Sequence, residues 1–116
     1  MAAPLADISR FVPLSEKDFH ILFAFAEGAT HGYAVVRSVE ERTDGLVRLE
    51  PANLYRRIQG FLDDGLLAEA EAPDDGREDR RRRYYTLTDL GTRVLAHEVE
   101  RWRALVAEAV QRGIAG

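Results

Sequence analysis

The chain has no cysteine, three histidines, a single lysine, one methionine and one tryptophan. Without cysteine there can be no disulfide framework, no thiolate zinc site and no cysteine nucleophile. His20, His31 and His97 are scattered, so metal chemistry has little to rest on and no cofactor is expected. No apolar run approaches the roughly 20 residues that a membrane span needs. The opening residues, MAAPLADISRFVPLS, lack the basic start and apolar block of a secretory signal, so the cytoplasm is the expected compartment. Paired carboxylates, a nucleophile with its base and a phosphate-cradling glycine loop are all missing at usable spacing, and an enzyme is not expected. With 20 acidic against 16 basic residues and a net charge of -4, the chain does not bind nucleic acid by bulk charge. All the basic residues but Lys17 are arginines, whose forked donors suit phosphate and guanine.

At 116 residues one domain is the economical reading. Ser15 opens a first helix running to about Gly28, with Asp18 completing an approximate capping box. Phe19, Leu22, Phe23 and Ala26 form one apolar stripe, and Ile21 with Phe25 forms a second. Such a helix needs cover on two sides, from its own core and from a partner subunit. The turn EGATHGY leads to a second helix, Gly32 to Arg42, with Tyr33, Val36 and Val39 inward. Pro51 stands in the first turn of a third helix, where its missing N–H costs nothing. Leu54, Ile58, Phe61 and Leu62 make that helix's core stripe, and Asn53, Arg56, Arg57 and Gly60 fall on its opposite, polar face. Gly65 is a left-handed cap.

After Gly65, LLAEAEA alternates as a half-exposed strand, PDDGRED is turn chemistry and RRRRYYTL is a second strand, giving a β-hairpin with a long tip. With Tyr85 and Leu87 facing the core, period two puts Arg80 and Arg82 with Tyr84 on the outer side, and leaves Arg81 and Arg83 to pair with carboxylates or lean on the third helix. Thr88 caps a final helix to about Arg112, roughly 36 Å long and so longer than a small domain needs. Its seam of Leu95, Val99, Trp102, Val106 and Ala109 repeats in heptad-like steps, which implies a partner.

Three helices followed by strand, tip and strand is the order of a winged helix-turn-helix, in which the third helix enters the major groove. The segments HGYAVVRSVEE (31–41), LEPANLYRRIQGFLDDGLL (49–67) and RRRRYYTLTDLG (80–91) resemble the PadR family of bacterial transcription factors. The resemblance rests on Gly32-Tyr33, Leu54-Tyr55-Arg56, Asp64-Gly65-Leu66 and Arg83-Tyr84-Tyr85-Thr86-Leu87-Thr88 with Gly91, in order and in register over about residues 14–112. Glu50, Ala52 and Asn53 depart from the family's usual cap and Gly-Thr pair; Glu50 is a poor N-cap.

The expected fold is mainly α with a small β-hairpin: an N-terminal arm at 1–13, a winged helix-turn-helix domain at 14–87 and a dimerisation helix at 88–116. The resemblance implies a dimeric regulator, a repressor released by a small-molecule effector, on a pseudo-palindromic double-stranded operator. Asn53, Tyr55, Arg56, Arg57, Arg80 and Arg82 are the expected DNA contacts, with Tyr55 open to a packing role. Ile21, Phe25, Leu95, Val99, Trp102 and Val106 are the expected homodimer interface, and Trp102 is either an anchor there or a contact for a flat aromatic effector. Tyr33 and Tyr85 are expected in the core, and His31 and His97 at the surface or in caps. The alternative is a winged-helix module that binds protein instead of DNA.

Overall fold

The computed structural model describes residues 8–72 and 82–116. Among these described residues there are four α-helices, α1 at Glu16–Ala24, α2 at Gly32–Arg42, α3 at Pro51–Asp63 and α4 at Asp89–Gln111. Three strands, β1 at Thr30–His31, β2 at Leu67–Ala70 and β3 at Tyr84–Leu87, form an antiparallel sheet in the order β1-β3-β2. The fold is an α+β winged helix with a long C-terminal helix, as the sequence pattern predicts.

Local chemistry fixes each boundary. The Ser15 hydroxyl oxygen accepts from the Asp18 N–H at 3.1 Å, satisfying one of the orphan donors of α1. α1 stops at Ala24, and Phe25–Glu27 tighten into a 3-10 turn that ends at Gly28. The helix predicted to continue to about Gly28 is therefore shorter. EGATHGY is more than a turn: Thr30 and His31 pair with Tyr85 and Tyr84. That third strand has no alternating pattern because two residues are too few to show one. His31 then caps α2, its Nδ1 accepting from the Ala34 N–H at 3.2 Å.

Between α2 and α3 the Thr43 hydroxyl donates to the Val39 carbonyl at 2.9 Å and accepts from the Val47 N–H at 3.0 Å. Asp44 and Gly45 turn the chain there with positive φ. Glu50 makes no side-chain cap bond, and Pro51 starts α3 without one. Thr88 caps α4 by accepting from the Gly91 N–H at 3.0 Å, while its hydroxyl donates to the Gly65 carbonyl at 2.6 Å.

The core gathers Leu22 and Phe25, Val35 and Val39, Leu54, Ile58 and Phe61, Leu66, and Val94 from α4. Each such side chain contributes about 1.5–3 kcal/mol on burial, which outweighs the exposed ion pairs as a source of stability. Ile8 is buried with this cluster, and Phe11, Val12 and Leu14 pack against it, so residues 8–14 lie on the domain. Glu98 fastens them. Its side chain is fully buried, and Oε1 accepts from the Leu14 N–H at 2.5 Å. Arg101 donates to both of its oxygens, at 2.9 and 3.2 Å. The Arg101 hydrogen bond holds the Glu98 carboxyl below the ordinary carboxylate value, against the opposing effect of burial and with help from the Leu14 N–H.

Two expectations about facing are corrected. Tyr33 is 53% exposed, because Val35 and Val39 take the inward side of α2. Tyr84 is buried as well as Tyr85: β3 is the central strand, and the His31 ring from β1 meets Tyr84 edge-on at 5.2 Å.

Candidate nucleic-acid interface

α3 places its residues as the stripe pattern requires. Leu54, Ile58 and Phe61 are buried, which fixes the rotation of the helix and turns Asn53, Tyr55, Arg56 and Arg57 outward. Asn53 Oδ1 accepts from Arg56 Nη1 at 3.5 Å, so the two polar groups lie side by side one turn apart. With Lys17, Asp18 and Glu50 they line a cleft of about 340 Å³ between the first turns of α1 and α3.

Tyr55 is half exposed and flanks the start of α2. A β-carbon at Gly32 would stand 2.9 Å from its ring and hydroxyl, so Gly32 leaves the space that Tyr55 occupies. This contact gives the Gly-Tyr and Leu-Tyr-Arg motifs one physical meaning: the first helix of the turn motif must be bare where the aromatic of the second lies.

Arg57 is engaged inside the chain. Its Nε and Nη2 donate to the Asp18 carboxylate at 3.0 and 2.9 Å. Nothing in the spacing of the sequence marks this pairing, because 39 positions separate the two residues. The only signal that Asp18 gave was its place in the capping box.

On the wing, Arg83 Nη1 pairs with Glu69 Oε1 at 3.3 Å across the hairpin. Arg82 is exposed and folds toward α2: its Nη1 lies 3.2 Å from His31 Nδ1 and its guanidinium carbon 4.9 Å from the centre of the Tyr33 ring. Tyr33 is thus a surface platform for the wing. Arg80 and Arg81 lie outside the described residues.

The expected dimer residues separate into two groups. Ile21 and Phe25 are each 1% exposed and Leu95 is 6% exposed, so they are filled from within the chain and not turned to a partner. Phe25 meets Tyr85 of the chain's own wing sheet edge-on at 6.2 Å. Trp102 also packs inward, its ring centre 4.4 Å from that of Phe19. Val99 and Val106 are exposed, and with Leu105 and Val110 they make an apolar surface along α4. Phe23 of α1 adds to the exposed apolar groups.

The sequence model of the Transcriptional regulator PadR-like family matches residues 21–97, from inside α1 to the first half of α4. The chain belongs to the PadR-like family. Solved PadR-family structures share the winged helix. A PadR family transcription regulator from Clostridium difficile R20291 superposes with a TM-score of 0.69 at 22% identity, over 84% of this chain and 97% of that one. A PadR family regulator from Eggerthella lenta is 26% identical over 82% of this chain and 79% of its own, with a TM-score of 0.61. Bacillus subtilis PadR, solved in complex with operator DNA, aligns over 75% of this chain and 48% of its own at 20% identity, with a TM-score of 0.61. No curated protein matches the sequence. Within the PadR-like frame, the Thr88-x-x-Gly91 motif also has a physical role, since Gly91 packs directly against the Leu66 carbonyl at the base of the wing.

Proposed function

We propose that this chain binds double-stranded DNA as a homodimer and regulates transcription by occupying a pseudo-palindromic operator, most simply as a repressor. The observation that carries the reading is the exposed pair of Asn53 and Arg56 on α3, a helix whose rotation is fixed by the buried Leu54, Ile58 and Phe61. A rigid helix with an adjacent amide and guanidinium fits base-edge readout, since Arg bridges the two acceptors of guanine and Asn the donor and acceptor of adenine. Tyr55 on the same helix and Arg82 on the wing are exposed and suited to phosphate contacts that set register. The operator complex of Bacillus subtilis PadR supports the same mode of use.

The exposed Val99, Leu105, Val106 and Val110 supply an α4 surface for a second copy, which would present two reading helices to half-sites about one helical turn apart or a multiple of it. Control by a small-molecule effector would then act on the α1–α4 contact at Phe19 and Trp102, because a change there moves the helix that spaces the two reading heads.

Selection from a random DNA pool tests the reading. The wild-type chain is expected to enrich a two-fold symmetric sequence. Arg56→Ala is expected to lose preference at one base pair of each half-site, a cost of about 1–3 kcal/mol. An unenriched pool, or an identical motif from Arg56→Ala, refutes the assignment.

A further inference from the structure

Arg57 lies one residue beyond Arg56 but is held differently. Its Nε and Nη2 form a two-pronged pair with Asp18 at 3.0 and 2.9 Å. One face of its guanidinium is covered by Phe61, 4.8 Å from ring centre to guanidinium carbon. Nη1 extends beside Gly60, where a β-carbon would stand 3.5 Å from it, so the side chain runs toward the C-terminal half of α3. Asp18 is equally well placed. It belongs to the first turn of α1, and its N–H is bound by the Ser15 hydroxyl. The pair is not buried: the Asp18 side chain is 20% exposed and that of Arg57 45%.

We propose that Asp18 is a specificity-determining positioning residue: it folds Arg57 back along α3 and removes one cation from the DNA-facing surface, leaving Asn53 and Arg56 to read bases. The inference rests on the DNA-binding reading above. An uncommitted arginine on that surface reaches phosphates of any sequence, and each phosphate contact adds sequence-independent affinity. A carboxylate that occupies both prongs of the arginine fork withholds that contact and also repels the backbone. Asp18 therefore sets how much of the binding is indifferent to sequence.

The test measures binding to a duplex of scrambled sequence as a function of salt for the full chain, Asp18→Asn, Asp18→Glu, Arg57→Gln and the double variant Asp18→Asn with Arg57→Gln. Asp18→Asn is expected to bind the scrambled duplex more tightly, with a salt slope steeper by about 0.9 per protomer, the value of one added phosphate contact. Asp18→Glu keeps a carboxylate for Arg57 and is expected to retain the wild-type slope. In the double variant the slope is expected to return to the wild-type value, because the released cation is gone. An exposed pair contributes little to stability, so the variants are expected to fold, and melting curves check this. A steep slope persisting in the double variant overturns the proposal, since carboxylate repulsion alone would then explain it. So does Arg57→Gln losing selection at a base pair, which would make Arg57 a reader itself. A wild-type chain that binds no duplex at any salt defeats the DNA-binding reading, whereas wild-type binding with an unchanged Asp18→Asn slope defeats this inference alone.

Discussion

Replacing Gly91 with alanine, a substitution that normally strengthens a helix, is expected to destabilise this one. Alanine gains about 1 kcal/mol over glycine in a helix interior. At Gly91, however, the added methyl would overlap the Leu66 carbonyl oxygen and stand 2.8 Å from Leu87 Cδ1. The carbonyl cannot move freely, because it accepts the Thr88 N–H at 3.1 Å and the Leu66 side chain is buried in the core. Overpacking costs about 1–3 kcal/mol, and drawing the carbonyl off Thr88 forfeits about 1 kcal/mol more. Net of the propensity gain, Gly91→Ala is expected to lose about 1–3 kcal/mol, a fall in Tm of roughly 4–12 °C for a chain of this size. Gly60 supplies the control. Among the described residues a β-carbon there meets only Arg57 Nη1, at an ordinary 3.5 Å, so Gly60→Ala is expected to raise Tm by roughly 2–4 °C through propensity alone. Thermal melts at one fixed protein concentration, which keeps any self-association constant, read both shifts. A Gly91→Ala Tm at or above wild type would refute the claim that backbone contact at the wing base outweighs helix propensity.

Two further outcomes follow from the packing of α4. The folded state depresses the Glu98 pKa, so its contribution to stability is present above the ordinary carboxylate value of 4.5 and is lost as pH falls below it. The Tm difference between wild type and Glu98→Gln is therefore expected to be widest near neutrality and to shrink as pH falls through that range; a gap that stays constant contradicts the pairing with Leu14 and Arg101. Val106→Asp places a charge on the exposed apolar surface of α4 without touching the core, so it is expected to leave monomer folding intact and to shift sedimentation toward the monomer. An unchanged sedimentation profile argues against this surface as the dimer contact.

Much of the architecture could be read from local signals. Ser15, Pro51, Gly65 and Thr88 mark helix ends by hydrogen-bonding chemistry confined to a few neighbouring residues, and each stands where the pattern put it. The Leu54, Ile58, Phe61 stripe predicted which side of α3 turns inward, because periodicity is a property of the helix itself. β1 escaped notice because a two-residue strand has no period and exists only through its pairing with β3. That one strand reversed the expected outward facing of Tyr84: it brought His31 over the Tyr84 ring, and with β3 at the centre of the sheet both tyrosines are buried.

The contents of the candidate interface divide in the same way. Asn53 and Arg56 were legible because they share one helix face. Asp18 was not legible as the partner of Arg57, nor Glu98 as the clasp of Leu14, because pairs 39 and 84 positions apart are made by the packing of helices and leave no mark on spacing. Amphipathicity likewise showed that α1 and α4 carry more apolar surface than one stripe needs, but not which surface stays open. The tertiary fold decided that Ile21, Phe25 and Leu95 are spent inside the chain while Val99 and Val106 remain outside. A sequence determines what each element must hide; what it is hidden against depends on where the other elements come to rest.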